Sequence, residues 1–307
     1  MFDEHYETVG FALFVLAFVA PAVPGLLFLF RVLRPHQSVT ARSVAGRRFL
    51  LWTLLGAIAY AFVFGWGFLV EPNWPELNRE SVAGPLDPPL RLLHLSDLHL
   101  QPDFPSRDQW MLDQIATLKP DLIVITGDIH QLGGADVPSL RRVLSQVHAP
   151  LGVFGCVGFD NVGALHEAAP HLRMLQDEVV TLRHGDKMIA LAGLAWTGSC
   201  SQVIESMKNA DYRIVMNHTP DKAEEAARRG ADLYLCGHTH GGQVRLPFWG
   251  AIITLAKTGK RFEAGRHQIG GMTNYTSRGL GLEPPYAPQV RFLCRPEICL
   301  FTIGNQG

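Results

Sequence analysis

The side chains best suited to hold metal ions in this chain are aspartates and histidines that follow short runs of β-forming residues. The runs are Arg91-Leu-Leu-His-Leu-Ser, Leu122-Ile-Val-Ile-Thr, Tyr212-Arg-Ile-Val-Met and Asp232-Leu-Tyr-Leu-Cys. They lead, in that order, into Asp97 and His99, into Asp128, into His218, and into His238 and His240. In α/β sheets, ligands collect outside the carboxyl ends of the strands. This order therefore predicts a metal site along one edge of a sheet.

Two of these clusters have the spacing i, i+2, namely Asp97 with His99 and His238 with His240. On an extended segment such residues point to the same side, so the two side chains of each pair can bind the same ion. Imidazole and carboxylate together suit Mn, Fe, Zn or Co and require no thiolate. The carboxylate of Asp128 can bridge two ions, and two-metal sites stabilise the attacking and leaving oxygens of a phosphoryl displacement. We therefore expect phosphoryl-transfer chemistry.

The same motifs resemble those of a known family. Asp97-x-His99, Gly127-Asp128, His218 and Gly237-His-Thr-His240 are similar in order to the calcineurin-like metallophosphoesterase superfamily. The longer runs Gly237-His-Thr-His-Gly-Gly-Gln-Val-Arg-Leu-Pro and Thr276-Ser-Arg-Gly-Leu-Gly resemble its membrane-associated bacterial branch. That branch includes Tat-exported phosphoesterases and enzymes like UDP-diacylglucosamine pyrophosphatase. The resemblance covers about residues 90 to 305.

The resemblance implies a fold and a set of ligands. The fold is an α/β protein, a four-layer α/β/β/α sandwich with the metals at the strand ends. Two divalent ions, of Mn, Zn, Fe, Mg or Co, would bind there. By analogy, Asp97, His99 and His240 hold one ion, Asp128 bridges, and His218 and His238 hold the other.

One motif of the family is altered in this chain. The family has Gly-Asn-His-Asp/Glu after its third strand, where the Asn binds the second metal and the His assists the leaving group or stabilises the transition state. Here the run is Gly158-Phe159-Asp160-Asn161, so a phenylalanine stands where a ligand is expected. Asp160 or Asn161 could supply the missing ligand, or the second metal could be held more weakly. Alternatively, the chain is a metal-binding pseudoenzyme or an inactivated variant.

Two further residues are candidates for catalysis. Asp160 stands at the position of the family's histidine. His130, two residues after Asp128, could approach the site or stabilise a phosphate. The alternative for His130 is a loop histidine near the surface.

The chain ahead of these motifs is strongly apolar. Hydrophobic residues make up 47% of the 307 residues and charged ones 18%. Two uncharged runs, at about residues 9–30 and 49–70, each have about the 20 residues needed to cross a bilayer. The acidic N-terminus lacks the basic region of a cleaved signal peptide. We therefore predict two transmembrane helices in an anchor of residues 1–75, a linker of residues 76–90 and a catalytic domain of residues 91–307.

Arginines set the predicted orientation of the anchor. Arg31, Arg34, Arg42, Arg47 and Arg48 lie between the two runs, whereas acidic residues flank their outer ends. The positive-inside rule places this loop in the cytoplasm and the catalytic domain outside. The alternative keeps the catalytic domain on the cytoplasmic face, with the hairpin dipping into the bilayer. We expect a multi-pass protein of a bacterial inner membrane.

Together these features predict a membrane-anchored, metal-dependent hydrolase of phosphodiester or pyrophosphate bonds. The expected partners are the lipid bilayer and a phosphate-containing substrate, which could be lipid-linked like UDP-diacylglucosamine. A net charge of −1 without a stripe of Lys and Arg argues against nucleic acid, and we expect no obligate protein partner. The five cysteines do not form a disulfide framework, although Cys294 and Cys299 could pair. The second hypothesis is a catalytically silent binding protein.

Overall fold

The structure is a computed structural model that describes residues 44–103, 105–131, 136–196, 198–283 and 288–305. The chain divides between Val70 and Glu71 into two compact units. The motifs of the predicted metal site all belong to the second unit.

The described part of the first unit is a helix. Helix α1 spans Val44–Gly65 and continues through wider turns over Trp66–Val70. Its side chains from residue 51 onward are mostly exposed. The run is uncharged, so the exposed surface has no charged face. Among the described residues, Leu51–Asn73 is long and apolar enough to cross a membrane. It coincides with the second predicted span, whereas the first lies outside the described residues, so a pair of transmembrane helices stays a prediction.

The second unit contains two six-stranded sheets. Its described strands are β1 (Glu76–Ala83), β2 (Leu90–Leu95), β3 (Leu122–Ile125), β4 (Val153–Cys156), β5 (Leu172–Leu175), β6 (Glu178–His184), β7 (Lys187–Gly193), β8 (Tyr212–Met216), β9 (Leu233–Cys236), β10 (Arg245–Leu246), β11 (Gly250–Ala251), β12 (Gly265–Ile269), β13 (Met272–Thr276) and β14 (Glu297–Gly304). Its described helices are α2 (Ser106–Leu118), α3 (Val137–Leu144), α4 (Val162–Ala168), α5 (Cys200–Glu205) and α6 (Ala223–Arg228).

Both sheets have a parallel centre. The strand order is β1-β14-β2-β3-β4-β5 in the first sheet and β12-β13-β9-β8-β7-β6 in the second. Strands β2 to β5 are parallel, and so are β7, β8, β9 and β13. Strands β3 and β9 are short and buried throughout, as strands of covered parallel sheets are. Parallel strands bring their carboxyl ends to one edge, where ligands bind.

Three apolar cores define the layers. One core lies between the sheets and includes Leu92 and Phe301. A second packs helices on the outer face of the first sheet and includes Leu93 and Met111. The third packs helices on the second sheet and includes Val203 of α5. Successive residues of β2 therefore face different cores, as the alternation of a strand requires. The layers are helix, sheet, sheet and helix, which confirms the predicted α/β sandwich.

The segment predicted as a linker is in part a strand. Residues 76–83 form β1, which pairs in parallel with β14 from Glu76 opposite Glu297 to Ala83 opposite Gly304. The prediction of a linker over residues 76–90 is wrong there, because these main-chain groups are paired in the sheet. Strand β1 lies at the edge of its sheet, and its mixed polar sequence suits a half-exposed edge strand.

The cysteines are buried and reduced. Cys156, Cys200, Cys236, Cys294 and Cys299 are all free. The possible bridge between Cys294 and Cys299 is therefore not formed. Burial raises the pKa of the Cys294 thiol, so this residue behaves as a small apolar side chain.

Candidate metal centre

The turns after β2, β3, β8 and β9 bring six metal-binding side chains to one place. Asp97, His99 and His240 offer ligand atoms within 4.8 Å of one another. The same holds for Asp97, Asp128 and His218. Together with His238, these residues are at most 7% exposed. The predicted ligands of these four turns therefore lie together at one edge of the sandwich.

Most of these residues have a left-handed backbone. The angle φ is 47° at Asp97, 43° at His99, 51° at Asp128, 69° at His238 and 47° at His240. This region is costly for residues other than glycine and persists only where the surrounding structure enforces it. The turns are thus held in a conformation that aims these side chains at one point.

Two glycines allow the turns to approach the carboxylates. A Cβ atom on Gly237 would lie 2.1 Å from Asp97 Oδ2, and one on Gly158 would lie 2.2 Å from Asp128 Oδ1. No side chain fits at these distances. Both positions therefore require glycine.

The first half of the centre comprises Asp97, His99 and His240. His240 Nε2 lies 3.2 Å from His99 Nε2 and 3.5 Å from Asp97 Oδ1. Burial lowers the pKa of His99 to about 4 and lowers that of His240 well below its usual value. Both rings are therefore neutral at pH 7. Neutral rings whose nitrogens converge are in the state that binds a metal.

The second half of the centre comprises His218 and His238, whose Nε2 and Nδ1 atoms lie 3.2 Å apart. Their outer nitrogens face main-chain carbonyls. His218 Nδ1 donates to Thr126 O at 2.8 Å, and His238 Nε2 donates to Leu255 O at 3.3 Å. Such bonds fix the tautomer and ring orientation of a metal-binding histidine. They leave the inner nitrogens directed into the site.

Asp128 lies between the two halves. Its Oδ2 atom is 3.8 Å from His99 Nε2 and 3.5 Å from His218 Nε2, and its Oδ1 atom accepts from Phe159 N–H at 2.7 Å. Burial alone raises the pKa of Asp128, but the charge and hydrogen bond of His218 hold it well below its usual range. Burial lowers the pKa of His218, and Asp128 outweighs this and raises it to about 10. The ionised Asp128 has the position of a bridging ligand, and a cation would take the place of the His218 proton.

The donor set therefore fits two divalent ions. Its members are carboxylate oxygens and imidazole nitrogens without thiolate, which suits Mn, Fe, Zn or Co. The main-chain acceptors behind His218 and His238 add the outer support that such sites have.

A chain of hydrogen bonds supports Asp97 from behind. Ser96 Oγ donates to Asp97 Oδ2 at 2.5 Å, and Thr126 Oγ1 donates to Ser96 Oγ at 2.7 Å. His94 Nε2 lies 2.8 Å from Thr126 Oγ1. Burial raises the pKa of Asp97 to about 7 against the opposing charge of His218. The chain of hydroxyls fixes the orientation of this carboxylate.

The sequence analysis missed Glu283. Its Oε1 atom lies 3.6 Å from His240 Nε2, and its main-chain N–H donates to Gln243 Oε1 at 3.0 Å. Burial raises the pKa of Glu283 to about 8. Arg291 is fully buried and donates to Gly281 O at 2.6 Å, which holds the loop that carries Glu283. The only signal in the sequence is its place directly after the run Gly279-Leu-Gly-Leu, and no spacing links it to the histidines.

Two aromatic rings cover the second half. Phe159 and Trp196 are 40% and 42% exposed, and their ring centroids lie 5.3 Å apart. Phe159 meets His218 edge-on at 6.4 Å, and Trp196 meets His238 edge-on at 5.7 Å. A phenylalanine thus lines the site where the family's asparagine would bind a metal. Trp196 follows β7, and no metal motif marks it.

Asp160 holds its loop in place. Its Oδ1 atom accepts from Ile129 N–H at 2.7 Å, and its Oδ2 atom accepts from Gly158 N–H at 3.2 Å. Burial raises the pKa of Asp160. Both oxygens are engaged by main-chain amides, and a role of Asp160 as the replacement ligand stays a prediction. The structure gives Asp160 a positioning role and shows no contact that supports the predicted catalytic one.

Asn161 and His130 are also engaged elsewhere. Asn161 Oδ1 caps α4 by accepting from Ala164 N–H at 3.1 Å. His130 Nε2 accepts from Asn161 N–H at 2.7 Å, and its Nδ1 donates to Gln131 O at 2.9 Å. The structure therefore does not place Asn161 among the ligands. It assigns His130, which is 7% exposed, to bracing the loop and supports neither predicted role, at the site or at the surface.

Known proteins are similar to this chain. The profile of the calcineurin-like phosphoesterase superfamily domain matches residues 90–246. An uncharacterised metallophosphoesterase of Bacillus subtilis, YkuE, is 31% identical over 287 residues, which cover 84% of this chain and 98% of the relative. Phosphodiesterase YaeI of Escherichia coli is 31% identical over 278 residues, with coverages of 85% and 99%. UDP-2,3-diacylglucosamine pyrophosphatase LpxG of Chlamydia trachomatis is 24% identical over 332 residues, with coverages of 81% and 95%.

Proposed function

The chain belongs to the calcineurin-like phosphoesterase superfamily of hydrolases that act on phosphoester bonds, and we propose that it is an active, membrane-anchored enzyme with a lipid-linked phosphate substrate. The observation that carries the proposal is the convergence of ligand atoms from four strand ends. Such a donor set is difficult to explain as a purely structural feature, because burying these polar groups without partners is costly.

In the proposed centre, the first half would hold one divalent ion, the second half would hold the other, and Asp128 would be shared by both. When bound, two such ions generate a nucleophile from water near neutral pH and neutralise charge on the phosphoryl oxygens. The residues of the chain orient the ligands. The carbonyls of Thr126 and Leu255 hold a proton on the outer nitrogens of His218 and His238, which leaves the inner nitrogens as the ones that would bind an ion. The rings of Phe159 and Trp196 exclude water from one side of the site.

The altered loop favours a substrate with a good leaving group. Because both oxygens of Asp160 accept from main-chain amides, this residue is poorly placed to protonate a departing oxygen. General acid catalysis contributes about 10²- to 10⁴-fold, and its loss matters least when the leaving group is a weak base. A phosphate released from a pyrophosphate is a weaker base than the alkoxide released from an alkyl phosphodiester. We therefore favour a pyrophosphate bond, and the pyrophosphatase name of the LpxG relative supports this choice.

The membrane anchor is part of the proposal. Helix α1 and its continuation expose apolar side chains along the length of a span. We propose that they lie in a bacterial inner membrane with the arginine-rich segment before them in the cytoplasm, so that the catalytic domain lies outside. Protease added to intact spheroplasts should then digest the catalytic domain. Digestion only after lysis would place that domain inside.

The enzyme activity is tested by metal analysis together with hydrolysis. We expect two metals per purified chain and turnover of a chromogenic phosphodiester with added Mn, Zn, Mg or Co. Asp97→Ala should abolish turnover, whereas Asp113→Ala, on the exposed face of α2, should not. An unactivated alkyl diester should be hydrolysed far more slowly than a pyrophosphate-linked substrate. Equal rates on the two would overturn the assignment of the bond.

A metal-binding protein without turnover is the second candidate, and Phe159 is the observation that favours it. The wild-type chain would then bind one ion or none and show no turnover. Activity gained by the double variant Phe159→Asn with Asp160→His would identify a disabled phosphoesterase. Turnover by the wild-type chain excludes this candidate.

A further inference from the structure

The catalytic unit exposes several large apolar side chains, and three of them, Phe159, Trp196 and Leu255, contact its metal centre. Among its described residues, those exposed by 37% or more are Trp74, Phe159, Trp196, Leu246, Phe248, Trp249, Ile252, Leu255 and Leu293. Five of them lie within residues 246–255. Soluble proteins rarely leave contiguous apolar patches exposed unless they bind something there. We call residues 246–255 the apolar hairpin.

The tip of the apolar hairpin projects from the domain. Strands β10 and β11 form a two-stranded ribbon closed by a turn in which Trp249 N–H donates to Leu246 O at 3.2 Å. At the tip, Trp249 is 67% exposed and Phe248 is 109% exposed, more than in an extended reference peptide. Among the described residues, Lys260 Nζ stands over the Trp249 ring, and both rings stay largely exposed. They extend from the surface as an apolar tip.

The apolar hairpin is joined to the metal centre at both ends. It follows the turn that carries His238 and His240. At its other end, Leu255 O accepts the hydrogen bond from His238 Nε2, while the Leu255 side chain is 49% exposed. The half-exposed rings of Phe159 and Trp196 pack on the same half of the centre. The end of the hairpin at Leu255 therefore lies at the second half of the centre, as do these two half-exposed rings.

The charged residues within and just after the apolar hairpin are mostly basic, and one partly buried carboxylate, that of Glu263, lies against it. Residues 244–262 contain Arg245, Lys257, Lys260 and Arg261 and no acidic residue. Arg245 and Arg261 form ion pairs with acidic residues outside this stretch, and Lys260 Nζ lies 4.0 Å from Glu263 Oε2. Lys260 Nζ lies 4.5 Å from the centroid of the Trp249 ring, and Lys257 is exposed. Aromatic tips flanked by basic residues are typical of segments at the interface of an anionic bilayer.

We propose that the apolar hairpin docks into the interface of an anionic phospholipid bilayer. Phe248 and Trp249 enter the boundary of the acyl chains, and Lys257 and Lys260 meet the lipid phosphates. The mouth of the metal centre then faces the headgroups, where the phosphate of a lipid-linked substrate lies. This last step rests on the proposed function, whereas the docking itself requires no hydrolysis.

The test uses the full chain in vesicles and one introduced thiol. Because all five native cysteines are buried, Phe248→Cys carries the accessible thiol for an environment-sensitive fluorophore. The matched control is Asp186→Cys, in the exposed turn between β6 and β7 at the opposite end of the sheet. In phosphatidylcholine vesicles containing phosphatidylglycerol, the probe at residue 248 should shift to the blue. Lipid-borne nitroxide should quench it several-fold more than aqueous iodide, and the control should show the reverse.

The charge requirement is tested separately. The double variant Lys257→Glu with Lys260→Glu should weaken nitroxide quenching at residue 248 in phosphatidylglycerol vesicles. The matched double variant Lys187→Glu with Lys208→Glu, which changes the same number of charges, should leave the quenching unchanged.

Three outcomes would overturn the docking. The probe at residue 248 could be as open to iodide as the control. It could be protected from both quenchers, which would indicate contact with protein, or its blue shift could follow protein rather than lipid concentration. Hydrolysis of a soluble chromogenic diester by the same preparation separates the two proposals. Turnover without lipid quenching overturns only the docking, and lipid quenching without turnover overturns only the proposed function.

Discussion

The two halves of the metal centre are supported differently. Every side chain of the first half is at most 1% exposed. The first half has side-chain support, from the Ser96 hydroxyl on Asp97 and from the Glu283 carboxylate beside His240. The second half is held by main-chain carbonyls and is lined by the half-exposed rings of Phe159 and Trp196. One half is thus built from buried polar groups and the other opens onto an apolar surface.

This difference implies unequal affinities for the two ions. The first half has Asp97, shares Asp128 and has Glu283 nearby, so it gathers negative charge around its ion. The second half has two imidazoles, shares Asp128 and meets a phenylalanine where the family has a ligand. We expect the first ion to bind tightly and the second weakly. The second half is instead suited to contact the apolar part of an amphiphilic substrate.

The largest effect should come from the residue shared by both halves. Asp128→Asn removes the bridging charge, so both ions should be lost and hydrolysis should fall on the order of 10³-fold or more. Metal analysis and initial rates measure this, with Asp113→Asn on α2 as the control. Loss of only one ion would show that the halves bind metal independently.

Glu283→Gln should affect the first half alone. If Glu283 supports the first ion, the affinity for that ion should fall about 10- to 100-fold, as it does when outer partners of metal sites are removed. The affinity for the second ion should stay unchanged. Calorimetric titration of the apoprotein with Mn²⁺ resolves the two sites, and Glu167→Gln on α4 controls for the loss of one charge. Equal weakening of both sites would mean that Glu283 acts only through general electrostatics.

Phe159→Asn should reduce the difference in affinity between the two ions. Phe159 N–H is fixed on Asp128 Oδ1, and Asp160 holds the loop, so an asparagine enters at the place of the family's ligand. The affinity for the second ion should rise about 10-fold. The same titration measures it. Trp196→Asn removes the neighbouring ring but places no side-chain amide in the loop of Phe159. It should therefore not raise the affinity for the second ion. If both variants raised the affinity for the second ion equally, the aromatic rings themselves, and not the missing asparagine, would be what weakens the second site.

The sequence was sufficient to predict that the six candidate ligands cluster, because each lies within a few residues of the end of a buried strand, and parallel strands end at one edge. It was insufficient to predict the hydrogen-bond partners of Asp160 and Asn161. The partners of a short polar side chain in a turn depend on amides of other loops, such as that of Ile129. Glu283 was missed because its approach depends on a loop held by Arg291. Strand β1 was missed because its pairing partner lies near the other end of the chain.

The smallest expected effect on metal affinity comes from Thr126, a single residue that supports both halves of the centre. Thr126 serves the first half through its hydroxyl, which donates to Ser96, and the second half through its carbonyl, which accepts from His218. Thr126→Val removes the hydroxyl, keeps the shape and leaves the carbonyl in place. The affinity for the first ion should therefore fall about 2- to 10-fold, the value of one hydrogen bond, while the second stays constant. Thr117→Val, on the exposed face of α2, is the matched control. A change at the second site would instead show that the strand end itself has moved, and that the two halves are coupled through the backbone.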